Sequence, residues 1–215
     1  MRSLVIWAIA VVCFAAAGTP ALAQDESWEV LADSTLDGHD GYLVRIVAPG
    51  EGSATMFVFE ESGKYRVYAA RDGGSSIWSV LPGEQYYCES TSMNINDTWR
   101  HLDDDGEEAQ ATVVDQQQVT TGAGTFTAYK VNVVRVSAPS TVTQILWFAS
   151  GVGLVRQIDL YSGPFPDTWQ SDLQNYSITG GSGFFPLAAG NQWQFAEITN
   201  PVKTSSWSGI KSAFE

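Results

Sequence analysis

The sequence predicts an all-β protein built from two similar β-meander halves, and three observations carry that prediction. Apolar residues alternate with period two through most of the chain. After the first 23 residues they nowhere recur at i, i+3, i+4, i+7 through three turns, so no long amphipathic helix is expected. One arrangement of strands and turns also occurs twice.

Composition narrows the class of function. The 215 residues hold 11 Lys+Arg against 24 Asp+Glu, a net charge of -13. Affinity for nucleic acid comes largely from cations that displace condensed counterions, so this balance excludes an electrostatic DNA or RNA binder. It equally opposes adsorption to anionic lipid. At 44 % hydrophobic and 16 % charged, the chain can build a core and is too sparsely charged for a coiled coil.

The first element reads as an export signal. Arg2 supplies the positive end, Leu4 to Ala17 is an apolar run, and Ala21-Leu22-Ala23 is a small-x-small cleavage site. That run falls short of the roughly 20 residues a spanning helix needs. Cleavage after Ala23 would release a protein without a membrane anchor, secreted or periplasmic. Only Cys88 would survive processing, which leaves no internal disulfide and predicts a buried thiol.

The strands follow in order. Tyr42, Val44 and Ile46 alternate with Leu43, Arg45 and Val47. Thr55 to Glu60 and Tyr65 to Ala69 flank Glu61-Ser62-Gly63-Lys64, a hairpin signal. Asp37-Gly38-His39-Asp40-Gly41 reads as an exposed turn. Asp105-Gly106 suits a turn between a Trp99 strand and an Ala111 to Val114 strand. Thr125 to Val136 alternates until Val134 breaks phase, which predicts a bulge. Gln144 to Ala149 and Leu154 to Leu160 form a second hairpin around Ser150-Gly151-Val152-Gly153. Trp169 to Tyr176 is expected to make at most one short helix.

Aligning Tyr42 with Tyr129 exposes the repeat. The offset is 87 residues at the tyrosines, 90 at Pro49 and Pro139, and 89 at Phe59 and Phe148. Asn96-Asp97-Thr98-Trp99 also resembles Gly190-Asn191-Gln192-Trp193 at offset 94. The Trp-bearing strand precedes the second unit but not the first. We expect a C-terminal strand, Phe184 through Phe195, to fold back beside the first unit and cover its open edge. The expected organisation is a signal peptide at 1–23, a duplicated domain at 24–160, a Gly/Ser/Pro-rich connection at 161–183, and the returning strand and tail at 184–215.

Thr121-Gly122-Ala123-Gly124-Thr125-Phe126-Thr127-Ala128 resembles a PAGTF-x-A motif. Trp147-Phe148-Ala149-Ser150-Gly151-Val152-Gly153-Leu154-Val155 resembles W-Y-A-P-G-V-G-L-V, and Phe185-Pro186-Leu187 with Gly190-Asn191-x-Trp193 completes the set. Together they resemble the TapB-like group of secreted or lipid-anchored bacterial β-proteins of unknown function. Gly122 and Ser150 stand where that pattern has Pro, both in turns. The resemblance implies a twisted, mostly antiparallel sheet forming an open or partial barrel outside the cytoplasm. It brings no catalytic residues with it.

Chemical signals are few. Gly151-x-Gly153 lacks the third glycine and the strand-turn-helix setting of a nucleotide loop, so no cofactor is expected. Asp103-Asp104-Asp105-Gly106-Glu107-Glu108 suggests calcium, but an EF-hand frame on Gly106 puts His101 and Thr112 at the anchoring positions. Zinc would need His39, His101, Cys88 and a carboxylate from separate strands. No Gly-x-Ser-x-Gly supports a serine hydrolase. Aromatic residues remain. Trp99, Trp147 and Trp193 alternate with polar residues and are expected in the core. Trp78, Trp169 and Trp207 lie among Ser, Gly and Pro and are the expected ligand-binding residues.

These features point to a non-catalytic binding or structural module, with a glycan, a lipid or another envelope protein as partner. The competing readings are a carrier of a hydrophobic ligand in a curved-sheet pocket and a hydrolase using His39 or His101.

Overall fold

The computed structural model describes residues 26–48, 52–81, 86–89, 91–100, 109–137, 140–162 and 167–198. The stretch 1–23 read as an export signal, His101, the acidic run 103–108 and Trp207 lie outside them. Among the described residues there is no helix. The strands are β1 (Glu26–Leu36), β2 (His39–Ala48), β3 (Gly52–Glu61), β4 (Lys64–Asp72), β5 (Ser79–Val80), β6 (Tyr86–Glu89) and β7 (Thr98–Arg100). After them come β8 (Gln110–Thr121), β9 (Gly124–Ser137), β10 (Ser140–Ala149), β11 (Gly153–Ser162), β12 (Asp167–Ser177) and β13 (Gln192–Glu197).

All belong to one antiparallel sheet, ordered β5-β4-β3-β2-β1-β13-β12-β11-β10-β9-β8-β7, with β6 also pairing β4. The sheet is open and not closed into a barrel. Turn chemistry sets its hairpins. Asp37-Gly38 and Ser62-Gly63 hold positive φ at both central residues, the geometry that matches strand twist in a two-residue loop.

Register shows how alike the two halves are. In the first half Leu31 is an extra residue in β1 opposite β2, and Tyr68 is an extra residue in β4 opposite β3. In the second half Val114 is extra in β8 opposite β9, and Val155 is extra in β11 opposite β10. The bulges fall at matching places. They fix Val44 against Val131, Phe57 against Trp147, and Ala69 against Arg156 as equivalent positions. The offset along β3 and β10 is therefore 90, one more than the phenylalanines suggested.

β13 pairs with β1 on one side and β12 on the other. β7 stands beside β8 as β13 stands beside β1: the amide of Val30 donates to the Asn191 carbonyl, and that of Val113 to the Asp97 carbonyl. The strand proper begins at Gln192, so Phe184 to Leu187 do not extend it. These residues lie in the loop before it and reach into the core. Phe185 packs against Trp28, Tyr65, Tyr87 and Trp193 at centroid distances of 5.1 to 6.0 Å, and Phe184 meets Tyr129 edge-on at 5.5 Å. Tyr87 meets Phe148 at 5.5 Å, joining the two halves.

Three local expectations are corrected. Trp169 to Tyr176 is not helical but lies in β12, because ladder bonds to β11 and β13 on both sides override a weak local preference. That strand runs through the stretch read as a connection. The bulge expected near Val134 is absent from β9, which keeps an unbroken register with β10. Val134 faces solvent at 44 % exposure, and the extra residue sits in the partner strand β8. His39 is not a turn residue: it opens β2 and stacks on Phe59 at 4.4 Å.

Candidate functional site

The sequence-expected Trp residues do not converge. Trp78 precedes β5 at one edge and is half-buried, with the Arg71 guanidinium 4.5 Å from its ring centroid. Trp169 lies in β12, opposite Asp159 of β11. Between β5 and β12 run β4, β3, β2, β1 and β13. Trp207 is outside the described residues. Trp99, Trp147 and Trp193 are buried, as expected of core residues.

A different set of residues does converge, on the second half. Side chains alternate between sheet faces, so residues directly opposite one another form a row on one face. Lys130, Trp147, Arg156 and Asp172 make one such row across β9, β10, β11 and β12. Asn132, Ile145, Ile158 and Gln170 make the next row on the same face. Trp169 belongs to the opposite face, where Val133, Gln144 and Asp159 share its row.

Each member of the first row has a definable role. Asp172, 5 % exposed, takes a bidentate pair from Arg156 at 2.6 Å from Nε and 2.5 Å from Nη2. Nη2 also donates to the Thr120 carbonyl at 2.9 Å. These bonds to Asp172 hold the guanidinium pKa above its ordinary value, since they favour the charged form. Arg156 thus staples the β8–β9 hairpin tip across β11 and β12, helped by the Ala123 amide donating to the Leu173 carbonyl at 3.0 Å.

Lys130 and Trp147 take no part in that staple. The Lys130 ammonium lies 5.7 Å from the centroid of the Trp147 ring. Trp147 is 6 % exposed, and its indole Nε1 has no hydrogen-bond partner among the described residues. The Asn132 carbonyl oxygen Oδ1 is likewise buried and unpartnered. Lys130, Asn132, Ile145, Ile158 and Gln170 are half-buried, so the two rows form a partly exposed face around the buried Trp147.

The first half shows what this row looks like when it serves packing alone. Leu43, Phe57 and Ala69 occupy the places of Lys130, Trp147 and Arg156. Arg45 and Arg71 stand in the next row on that face, on either side of Thr55, and Arg45 ion-pairs Glu29 with 46 % of its side chain exposed. In the second half Lys130 and Arg156 flank Trp147 in its own row. Sequence reading placed Trp147 in the core, where it is buried, and passed over its pairing with Lys130. The signal was present in the repeat itself, once the offset along β10 is set to 90.

Other chemical readings find less geometry. Cys88 is fully buried, and its thiol lies 3.9 Å from the Phe184 carbonyl. Among the described residues no three His, Cys, Asp or Glu side chains group to hold a metal. The acidic run read for calcium lies outside those residues, as does His101. No family model, curated protein or solved structure matches the chain.

Proposed function

We propose that the chain is an exported, non-catalytic binding module of the TapB-like kind, and that it binds through the Lys130 face of its second half. One observation carries the reading: Lys130 and Trp147 replace Leu43 and Phe57 at equivalent positions, which adds a half-buried charge and an unpartnered buried N–H. Such groups cost stability, about 1–3 kcal/mol for an orphaned buried donor. A fold that keeps them against its own internal precedent gains something other than packing from them. Export is supported by the Arg2, Leu4 to Ala17 and Ala21-Leu22-Ala23 pattern.

Carriage of a hydrophobic ligand in a curved-sheet pocket has less support, because Phe184 and Phe185 pack into the core against Tyr129 and Tyr87. Hydrolysis has less still, since His39 lies flat on Phe59 beside Tyr68.

Native mass spectrometry of the exported protein tests the reading. The wild type should begin at Gln24 and carry a non-protein adduct that Lys130→Leu lacks. A wild type at its bare mass, or an adduct retained by Lys130→Leu, would contradict it.

A further inference from the structure

We infer that a second copy of this chain docks on the second half, sheet against sheet, over the two rows that follow the Lys130 row. The inference is independent of the ligand reading, which is carried by Lys130 and Trp147 in the row beside them.

The two rows are uncharged. One runs through Thr112, Asn132, Ile145, Ile158 and Gln170 across β8 to β12, and the amide of Ile198 adjoins it by donating to the Gln170 carbonyl at 2.8 Å. The next runs through Gln110, Val134, Thr143, Leu160 and Thr168. Residues two apart along a strand share a face, so these rows lie side by side. Their branched side chains reach solvent: Val134 and Ile198 are each 44 % exposed, and Leu160 is 37 % exposed.

The first half shows the same face of the same fold adapted to water. Register sets Glu29 at the place of Thr112, Arg45 at that of Asn132 and Arg71 at that of Ile158. Arg45 ion-pairs Glu29, and the Arg71 guanidinium lies over Trp78. In the row beyond, Ser27 and Ser53 hold the places of Gln110 and Thr143. The second half has Thr, Asn and Ile where the first has three charges. Apolar side chains left exposed together on a sheet face mark a contact surface.

Charge identifies the occupant. The chain carries -13, so a partner drawn to it by charge would settle on its carboxylates, and these two rows hold none. What complements an uncharged, branched surface is another of the same kind. A second copy supplies one about a two-fold axis, with the same patch on both sides. Two chains of like sign can also meet here without placing like charges opposite each other. Strands β8 to β12 at about 4.8 Å spacing, with two rows about 7 Å apart, give about 350 Å² on each copy before side-chain relief is added. A contact of about 700 Å² for the pair is small, so the dimer is weak and depends on concentration.

Sedimentation velocity of the mature protein between about 5 and 500 µM tests this, a range suited to a small interface. The expected mass rises from one copy towards two. The dimer should tighten as NaCl is raised from about 0.05 to 0.5 M, because salt screens the repulsion between the copies while the contact has no ion pair to lose. Ile158→Arg and Leu160→Lys should each weaken it at least about tenfold, since each sets like charges against one another across the two-fold axis. Arg already stands at the equivalent place in the first half, and Leu160 is partly exposed, so both variants should fold. Val47→Lys adds the same charge at an exposed position of the first half and should leave the dimer as it is. Monomers at every concentration, a dimer that salt weakens, one that survives both variants, or one that Val47→Lys disrupts equally would overturn the inference. A monomer in which the Leu160 methyls are shielded from a soluble paramagnetic probe would assign the face to another segment of the chain and overturn it too. None of these outcomes touches the ligand reading.

Discussion

Val30 and Val113 make the same pair of backbone hydrogen bonds in the two halves. Val30 receives from the Gly190 amide and donates to the Asn191 carbonyl; Val113 receives from the Asn96 amide and donates to the Asp97 carbonyl. The C-terminal strand thus does for the first half what β7 does for the second. A chain that ended before β13 would leave the edges of β1 and β12 unpaired, the arrangement that invites edge-to-edge association.

The two turns that precede these strands should differ in weight. Asn191 is fully buried; its Oδ1 accepts from the Thr179 amide at 2.7 Å, and its Nδ2 donates to the Gly180 and Pro186 carbonyls at 2.9 and 2.6 Å. Its counterpart Asp97 is half-buried and accepts from the Asn94 amide at 2.7 Å. Asn191→Ala should therefore cost about 2–4 kcal/mol in urea denaturation and Asp97→Ala about 1 kcal/mol, because orphaned buried groups pay full desolvation. Equal losses would show that the two turns do not divide the work in this way.

Asp172 and Arg156 hold the tip of the β8–β9 hairpin. Asp172→Asn should free that tip and speed hydrogen exchange at the Ala123 amide, which bonds the Leu173 carbonyl, by about ten- to hundredfold. The Val131 amide, deep in the sheet, should be unaffected. Exchange that rises equally at both would indicate global destabilisation instead of a lost staple.

Alkaline pH should weaken the fold. Burial pushes the Cys88 thiol and the Tyr87 phenol well above their ordinary values and moves the Tyr65 phenol to about 12. In the unfolded chain these groups ionise near their ordinary values of 9.0 and 10.0. Between the two states' values the folded protein holds more protons, so its stability is full below the unfolded values and is lost as pH rises. The urea midpoint should fall steadily above about pH 9, and Cys88→Ala should delay the onset of that fall. A midpoint that stays level to about pH 11 would contradict the burial of these groups.

Much of the fold was legible in the sequence because period-two alternation and glycine turns are local signals. Ser62-Gly63 announced its hairpin, and the return of the C-terminal strand followed from a Trp strand missing ahead of the first unit. β12 was not legible. Trp169, Ser171 and Leu173 alternate too weakly with Gln170 and Asp172 to reveal a strand whose support comes from β11 and β13. The Val134 bulge was misplaced for a related reason: register is a property of two strands, and Val114 lies in the other one. The candidate site was legible only in part. Trp147 looked like core and is buried, but its place beside Lys130 is set by the register of β9 with β10.

The central claim is that Lys130 serves a ligand at the expense of the fold, and its most direct measurement is the urea stability of Lys130→Leu. That change restores the residue found at the equivalent position, Leu43. It removes the cation–π contact but replaces a half-buried charge with apolar surface, at about 0.8 kcal/mol per buried methylene. We expect stability to rise by about 1 kcal/mol while ligand binding falls about tenfold. A loss of 1 kcal/mol or more would show that Lys130 is there to hold the sheet together, and would contradict the account.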